Sequence, residues 1–394
     1  MPARLSSPIP PPPAASYDAV IVGARCAGAA TALLLARAGL SVLAVERSPY
    51  GADTLSTHAL MRGAVAQLAR WGVLDRIRAA GTPAITRTTF HYGDDAVEVP
   101  IKPKYGADAL YAPRRTVLDT ALVDAGRAAG ATILHGPRVV ELVRRPDGRV
   151  SGVVVQDREG GIRTVGAGIV VGADGWRSTV GRLVAARARR IGRHATGVTY
   201  GYWAGLPDDG THWYYRTDAA AGVIPTNDGL TCVFASVPAS RFSEVFAGQL
   251  EAGCRRVVAH VAPELAADMA GRPPAERVRG FLGEPSCLRQ AWGPGWALVG
   301  DAGYFKDSLT AHGITDALRD AELLAQAIIT GTDAALDGYQ DTRDRLAGPV
   351  FDATDAIAAF DSDLRTLATL HRALSEGMTA EARYLADLET AVAT

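Results

Sequence analysis

The hexapeptide Gly23-Ala24-Arg25-Cys26-Ala27-Gly28 sits between a short β-rich run, Tyr17 to Val22, and an Ala/Leu-rich helical stretch from about Cys26 to Ala38. A glycine at Gly23 permits a tight turn, and one at Gly28 lets the helix pack closely on the strand. The free N–H groups at the helix start then face an anion, which the helix dipole also favours. The pattern is G-x-G-x-x-G with Arg25 at the second glycine, the position where a dinucleotide pyrophosphate approaches the backbone. Arg25 can instead extend its guanidinium beside the phosphates. Glu46 follows 23 positions after Gly23, at the end of the next strand, Val42 to Val45. A carboxylate there accepts hydrogen bonds from both ribose hydroxyls of an adenosine and repels a 2′-phosphate, so FAD or NAD is favoured over NADP.

Asp174-Gly175 and Gly300-Asp301 each follow a buried strand, Ile169 to Val171 and Ala297 to Val299. Carboxylates at the carboxyl ends of sheet strands lie where α/β folds bind ligands, although such an aspartate also serves as an ordinary helix cap. Two histidines stand near these segments. His58, in Ser56-Thr57-His58, lies downstream of Glu46, and His312 precedes Gly313. Either can orient a substrate or relay a proton near neutral pH, and either can make a plain structural hydrogen bond. The remaining histidines are scattered without ligand spacing, so no metal is expected. Cys26 is read as a small packing residue.

The supporting elements follow from pattern. The strand, helix and strand around the hexapeptide form a β-α-β unit with parallel strands. Helices are expected at about Leu60 to Arg70 and Arg115 to Ala129, with a hairpin over Thr86 to Ile101 turned at Gly93-Asp94. Strand follows strand from Ala131 to Ala173. The segment from about Ile191 to Gln290 is rich in aromatic strands, and it reads as an antiparallel layer that could serve as a substrate platform. Tyr202, Trp203, Trp213 and Tyr215 are its candidate pocket residues, with alternate members expected to pack into a core. Long helices follow Ile314 and Asp333.

The 394 residues suffice for two or three domains, and the 48% hydrophobic and 21% charged content is ordinary for a globular chain. A formal net charge of -1 gives no reason to expect nucleic acid or an anionic membrane as partner. The four cysteines lie far apart, which argues against a zinc site or a disulfide framework and suits a cytoplasmic protein. The N-terminal stretch, with its Pro10 to Pro13 run, offers no signal peptide or membrane span and reads as a disordered tail.

The ordered set of phosphate loop, Asp-Gly and Gly-Asp motifs resembles the FAD-dependent group A monooxygenases, the p-hydroxybenzoate hydroxylase-like flavoproteins. Flavin-dependent halogenases and geranylgeranyl reductases are their relatives. The resemblance spans about Tyr17 to Ala325. It implies an α/β fold: a Rossmann-like FAD-binding domain of the glutathione reductase type over 17–190 and 291–332, with an inserted, mainly antiparallel substrate layer over 191–290. A C-terminal helical segment over 333–394 and a tail over 1–16 complete that division. It implies ADP-binding roles for Gly23, Ala24, Arg25, Cys26, Ala27, Gly28, Glu46 and the following Arg47. Arg115 matches a position near the ribityl-pyrophosphate, Asp174 one serving FAD and the nicotinamide donor, and Gly300-Asp301 the ribityl site. Gly313-Ile314-Thr315 stands at the helix start that faces the flavin N1–C2=O edge. Thr315, where Asn is usual, can still cap that helix, and Ser308 replaces the usual proline.

The resemblance also implies FAD as cofactor and NAD(P)H as a transient electron donor. With a single nucleotide-binding unit, the donor binds without its own Rossmann domain or acts through a separate flavin reductase. The implied reaction is oxygenation of an aromatic or polyketide-like small molecule through a flavin C4a-hydroperoxide. Three other readings stand beside it. A halogenase would place a lysine between flavin and substrate, and Lys102, Lys104 and Lys306 fall elsewhere; its Trp-x-Trp-x-Ile-Pro signature is missing as well. A prenyl-chain reductase would carry an aromatic-Pro motif that Tyr202-Trp203 and Pro207 match only in outline. The third is a flavin-binding regulator without catalytic activity. Both a monomer and a homodimer are compatible with the Ala-rich C-terminal helices.

Overall fold

The computed structural model describes residues 16–392, so the proline-rich residues 1–15 lie outside the described residues, and Ser16 already belongs to the first strand. The elements, in chain order, begin with β1 (Ser16–Val22), α1 (Cys26–Arg37), β2 (Val42–Glu46), α2 (Arg62–Arg70), α3 (Leu74–Ala79), β3 (Arg87–Tyr92), β4 (Asp95–Pro100) and α4 (Arg115–Ala128). Then come β5 (Thr132–His135), β6 (Arg138–Arg144), β7 (Val150–Gln156), β8 (Ile162–Gly172), α5 (Thr179–Leu183), β9 (Ala188–Ile191), β10 (Thr196–Ala204), β11 (Thr211–Tyr215), β12 (Ala220–Pro225) and β13 (Leu230–Pro238). The chain continues through α6 (Phe242–Phe246), α7 (Leu250–Val261), α8 (Pro263–Asp268), β14 (Arg279–Phe281), β15 (Cys287–Arg289), β16 (Trp292–Gly293), β17 (Trp296–Leu298) and β18 (Tyr304–Phe305). It ends in α9 (Gly313–Thr330), α10 (Asp333–Ala358) and α11 (Leu364–Val392).

The first sheet runs β16-β17-β8-β1-β2-β5, and its members from β17 to β5 are parallel. Their apolar residues are buried on both faces, as β-α-β crossovers require. β8 serves two neighbours. Its first half pairs antiparallel with β7, and its second half runs parallel to β1, with Val22 opposite Gly172. The result is that Gly23, Glu46, Asp174 and Asp301 all emerge at the carboxyl edge of one sheet, where α/β folds bind ligands.

The second sheet, in the order β14-β10-β13-β12-β11-β3-β4, is antiparallel apart from the β11–β3 pair. The expected hairpin forms at residues 87–100, but it joins this second sheet rather than the nucleotide sheet, through β3 beside β11. Thus the platform draws strands from before as well as within 191–290. Period-two alternation divides its aromatic residues. Tyr200, Tyr202, Trp213, Tyr215 and Phe234 pack on the face covered by α10 and α11, and Trp203, Val233 and Ala235 pack under α6 to α8. The architecture is therefore the mixed α/β one expected, with a nucleotide sheet, an antiparallel platform and long C-terminal helices. Among the described residues no helix is long and apolar enough to cross a membrane.

Candidate active site

The phosphate loop is closed tightly. Gly23 has φ +98°, and a Cβ there would stand 2.4 Å from the carbonyl oxygen of Ala173; a Cβ on Gly28 would meet the Gly23 carbonyl at 1.9 Å. Only glycine fits either position. Ala24 and Ala27 are buried in the turn beside Cys26, whose thiol burial pushes up to about 11, so it packs rather than reacts. Glu46 Oε2 accepts the Ala24 N–H at 3.0 Å, and Oε1 accepts the Ser48 N–H at 2.9 Å. Burial pushes this carboxyl up, but those N–H groups outweigh it and hold the acid below its ordinary range. The ionised carboxylate forms the floor of a cleft lined by Ala24, Arg25, Tyr50, Asp119 and His135, with acceptor capacity left for a sugar.

Arg25, at the second-glycine position, does not swing away from the fold. Its guanidinium lies across the cleft, 3.1 Å from Asp119 and 3.2 Å from the Ala52 carbonyl. Asp119 also takes Arg115 at 2.9 Å, so the two cations are fixed by one acid on α4. Arg47 is exposed on the loop after Glu46.

The two motif aspartates differ. Asp174 accepts the Ser178 hydroxyl at 2.5 Å and the N–H groups of Thr179 and Val180 at 2.6 and 3.3 Å, so its carboxylate is engaged in holding the start of α5. Asp301 has no side-chain hydrogen bond among the described residues. Burial pushes its carboxyl up to about 6, against the pull of Arg115 and Lys306 and with Asp316 and Asp320 adding to the rise. A carboxylate with no internal partner at a strand end fits a polyol chain that supplies hydroxyl donors.

Gly300 lets this turn approach α1, since a Cβ there would stand 2.8 Å from the Ala27 side chain. Beyond it, α9 starts at Gly313 with open space where a Cβ would project, and its first N–H groups have no intrahelical partner. Ile314 is half-buried behind them. The cap expected of Thr315 is not formed. His312 occupies the cap position without a side-chain bond, and the Thr315 hydroxyl, one turn inside, accepts the Met61 N–H at 3.2 Å because α2 packs against that turn. These residues together fit FAD, with Glu46, the phosphate loop, Asp301 and the open start of α9 presenting polar groups along one sheet edge.

His58 and His312, paired as candidates by sequence, occupy separate surroundings. His58 is buried in a left-handed conformation (φ 69°) and hydrogen-bonds through Nε2 to the Tyr202 hydroxyl. Burial, then Arg115, Arg114 and Arg279, drive its pKa well below 6.5, so the imidazole is neutral at pH 7. Burial likewise raises the Tyr202 phenol far above its usual value. The Arg114 guanidinium lies 4.0 Å over the Tyr202 ring and ion-pairs with Glu276 at 2.7 Å; Arg279 reaches Asp53 at 3.1 Å. Tyr200 accepts the Ser56 N–H at 3.2 Å, tying the His58 loop to the platform. Of the aromatic candidates, Tyr202 is therefore the one that meets His58. Trp213 packs on Phe234, Tyr215 lies 4.5 Å from the His371 ring on α11, and Trp203 points to the opposite face of the sheet.

His312 belongs to a buried ionic cluster that spacing alone did not reveal in full. Its ring lies 3.2 Å from Asp316 and 3.6 Å from Glu381 of α11. Lys306 meets Asp316 at 2.7 Å, and Arg319 meets Asp316, Asp320 and Glu381 at 2.8, 2.7 and 2.7 Å. His312, Asp316 and Glu381 bring metal-ligand atoms within 4.8 Å of one another, but Lys306 and Arg319 already neutralise the same carboxylates. Asp316 and Asp320 flank Arg319 on one helix, whereas Glu381 arrives from sixty-two residues beyond Arg319, which no local pattern announces.

Residues 16–354 match the family described as FAD binding domain. The menaquinone reductase of Mycolicibacterium smegmatis is 29% identical over 340 residues, covering 80% of this chain and 76% of that protein. The digeranylgeranylglycerophospholipid reductase of Methanothrix thermoacetophila is 26% identical over 338 residues, covering 82% and 80%. Among solved structures, the probable FAD-dependent monooxygenase PqsL from Pseudomonas aeruginosa superposes with TM-score 0.78 at 20% identity, covering 91% of this chain and all of that one. The flavin-dependent brominase Bmp2 superposes at 0.78 and 18%, covering 94% and 93%. The chain belongs to the FAD binding domain family and is an FAD-dependent oxidoreductase.

Proposed function

We propose that this oxidoreductase is a monooxygenase that uses NAD(P)H and O2 to oxygenate a compact aromatic or polyketide-like molecule. Bound FAD would supply the electron transfer and oxygen activation. The observation that carries the reading is a buried phenol–imidazole pair, Tyr202 and His58, under the Arg114 guanidinium and beside Arg279, Asp53 and Glu276, with His58 on a loop whose Met61 N–H bonds Thr315 in the first turn of α9. Such polar surroundings suit a substrate with oxygen functions better than a bare hydrocarbon chain. With Tyr202 donating to Nε2, the His58 proton sits on Nδ1, which has no partner among the described residues. That N–H is a donor for a substrate oxygen, and the pair can return a proton through the phenol.

A second reading, reduction of a prenylated quinone or prenyl chain, is favoured by the names of the curated relatives, which match over most of their length. Halogenation has less support. Lys306 is buried against Asp316, and Lys102 and Lys104 are exposed on the loop after β4. Anaerobic reduction of the FAD-loaded protein by NADH or NADPH, followed by separate additions of O2 with phenolic substrates and of menaquinone without O2, distinguishes these readings. Oxygen from ¹⁸O2 in the product supports oxygenation. Reoxidation by quinone alone, with O2-dependent product absent, replaces it with the reductase reading.

A further inference from the structure

We propose that Glu381, brought by the C-terminal helix α11, and Lys306 are positioning residues of opposite sign that set the reduction potential of FAD bound over the start of α9. The inference rests on the FAD seat and holds whichever substrate reading is correct.

The start of α9 faces open space at Gly313 with its first N–H groups free, a partial positive charge suited to a developing negative charge on a reduced ring. Yet Asp316 stands in that same first turn. An unbalanced carboxylate there would cancel the helix dipole. Lys306, 1% exposed, and Arg319, fully buried, answer it. Arg319 is in turn shared by Asp320 and Glu381, and His312 lies between Asp316 and Glu381. Tyr304 supplies a neutral ring beneath both cations, at 5.8 Å from the Lys306 amine and 5.9 Å from Arg319. The cluster also reaches the cofactor edge on its other side, because the field of Lys306, Asp316 and Asp320 is felt at the Asp301 carboxyl.

Glu381 is the member of this cluster that comes from another long helix, α11. In a site with little water, one unit of charge acts at longer range than at the surface. Removing the negative charge of Glu381 leaves Arg319 less neutralised and favours the reduced, anionic ring. Removing the positive charge of Lys306 does the reverse.

The test is the midpoint potential of the bound flavin, measured by dye equilibration on FAD-loaded protein, for Glu381→Gln and Lys306→Met. Glu381→Gln, nearly isosteric, should shift the potential upward, and Lys306→Met should shift it downward. Leu385→Ala, on the same helix and next to Gly63, loosens packing without a charge change and should leave the potential near that of wild type. Shifts of the same sign in both charge variants, no shift in either, or an equal shift in Leu385→Ala overturns the proposal. So does loss of FAD from both charge variants, which would make the cluster purely structural. If only one variant retains FAD, the sign of its shift decides.

Discussion

Asp174 and Asp301 leave adjacent parallel strands at the same sheet edge, yet Asp174 is fully engaged by Ser178, Thr179 and Val180, whereas the Asp301 carboxyl meets no hydrogen-bond donor among the described residues. Asp174→Asn should therefore lower the stability of the apoprotein by about 1 kcal/mol or more through the weakened helix start, read as a fall in urea midpoint. Asp301→Asn should leave that midpoint intact at low pH and weaken FAD binding instead.

The same contrast has a pH signature. A carboxyl whose folded pKa stands near 6, above its ordinary 3.8, keeps a proton in the native state that the unfolded chain has already lost. Stability then falls as pH rises through that window and stays lower above it. Asp301→Asn removes this cost, so the apoprotein variant should melt higher than wild type at pH 7.5 and match it near pH 4. FAD, by supplying hydroxyl donors, should shrink the difference. Melting curves at both pH values, with and without FAD, check this; identical curves for variant and wild type at pH 7.5 would refute it.

Glu46→Gln keeps the shape of the side chain but not its charge. The Ala24 and Ser48 N–H groups lose a charged acceptor, and the sugar loses one as well. Hydrogen bonds to charged groups contribute about 1.5–3 kcal/mol each, so FAD affinity should fall about tenfold or more, measured by flavin fluorescence quenching. Unchanged affinity would mean the sugar lies elsewhere.

Tyr202→Phe separates chemistry from cofactor loading. It removes the hydroxyl bonded to His58 and leaves the ring under Arg114. FAD content and anaerobic reduction by NAD(P)H should stay near wild type, and turnover should drop roughly a hundredfold, the scale of a lost general acid or base. A parallel drop in the flavin reduction step would place the pair on the donor side of the reaction instead.

Trp203 tests the opposite face of the platform. It is fully buried under α7 and α8, away from His58. Trp203→Ala should cost about 3–5 kcal/mol of stability, seen in denaturant unfolding, while the folded fraction keeps its KM. A changed KM with intact stability would contradict this placement.

Much of the nucleotide half was legible in the sequence because its signals are local. The phosphate loop, Glu46 at the end of its strand and the helix starting at Arg115 each lie within one β-α-β unit or one helix, so spacing alone specifies their geometry. The platform was legible only in kind. Its aromatic alternation was visible, but which helices cover each face, α10 and α11 on one side and α6 to α8 on the other, was not. That partition is set by distant packing. Arg25 illustrates a different limit. Its guanidinium is drawn to Asp119, an acid whose position depends on how α4 packs beside α1. The cluster of Lys306, Arg319 and Glu381 was hidden for the same reason, as charges of opposite sign meet only once α11 docks on α9 beside the loop that carries Lys306.

The pairing of β3 with β11, and of β17 with β8, has a consequence for biosynthesis. Neither sheet closes on a contiguous stretch of chain. As the polypeptide leaves the ribosome, the parallel sheet exposes β8 as a bare edge until β17 is made, and the hairpin 87–100 stays without its neighbour until residue 215. Fragments cut near residue 190 would present two apolar edges at once and should aggregate when expressed separately, yet refold together if mixed from denaturant.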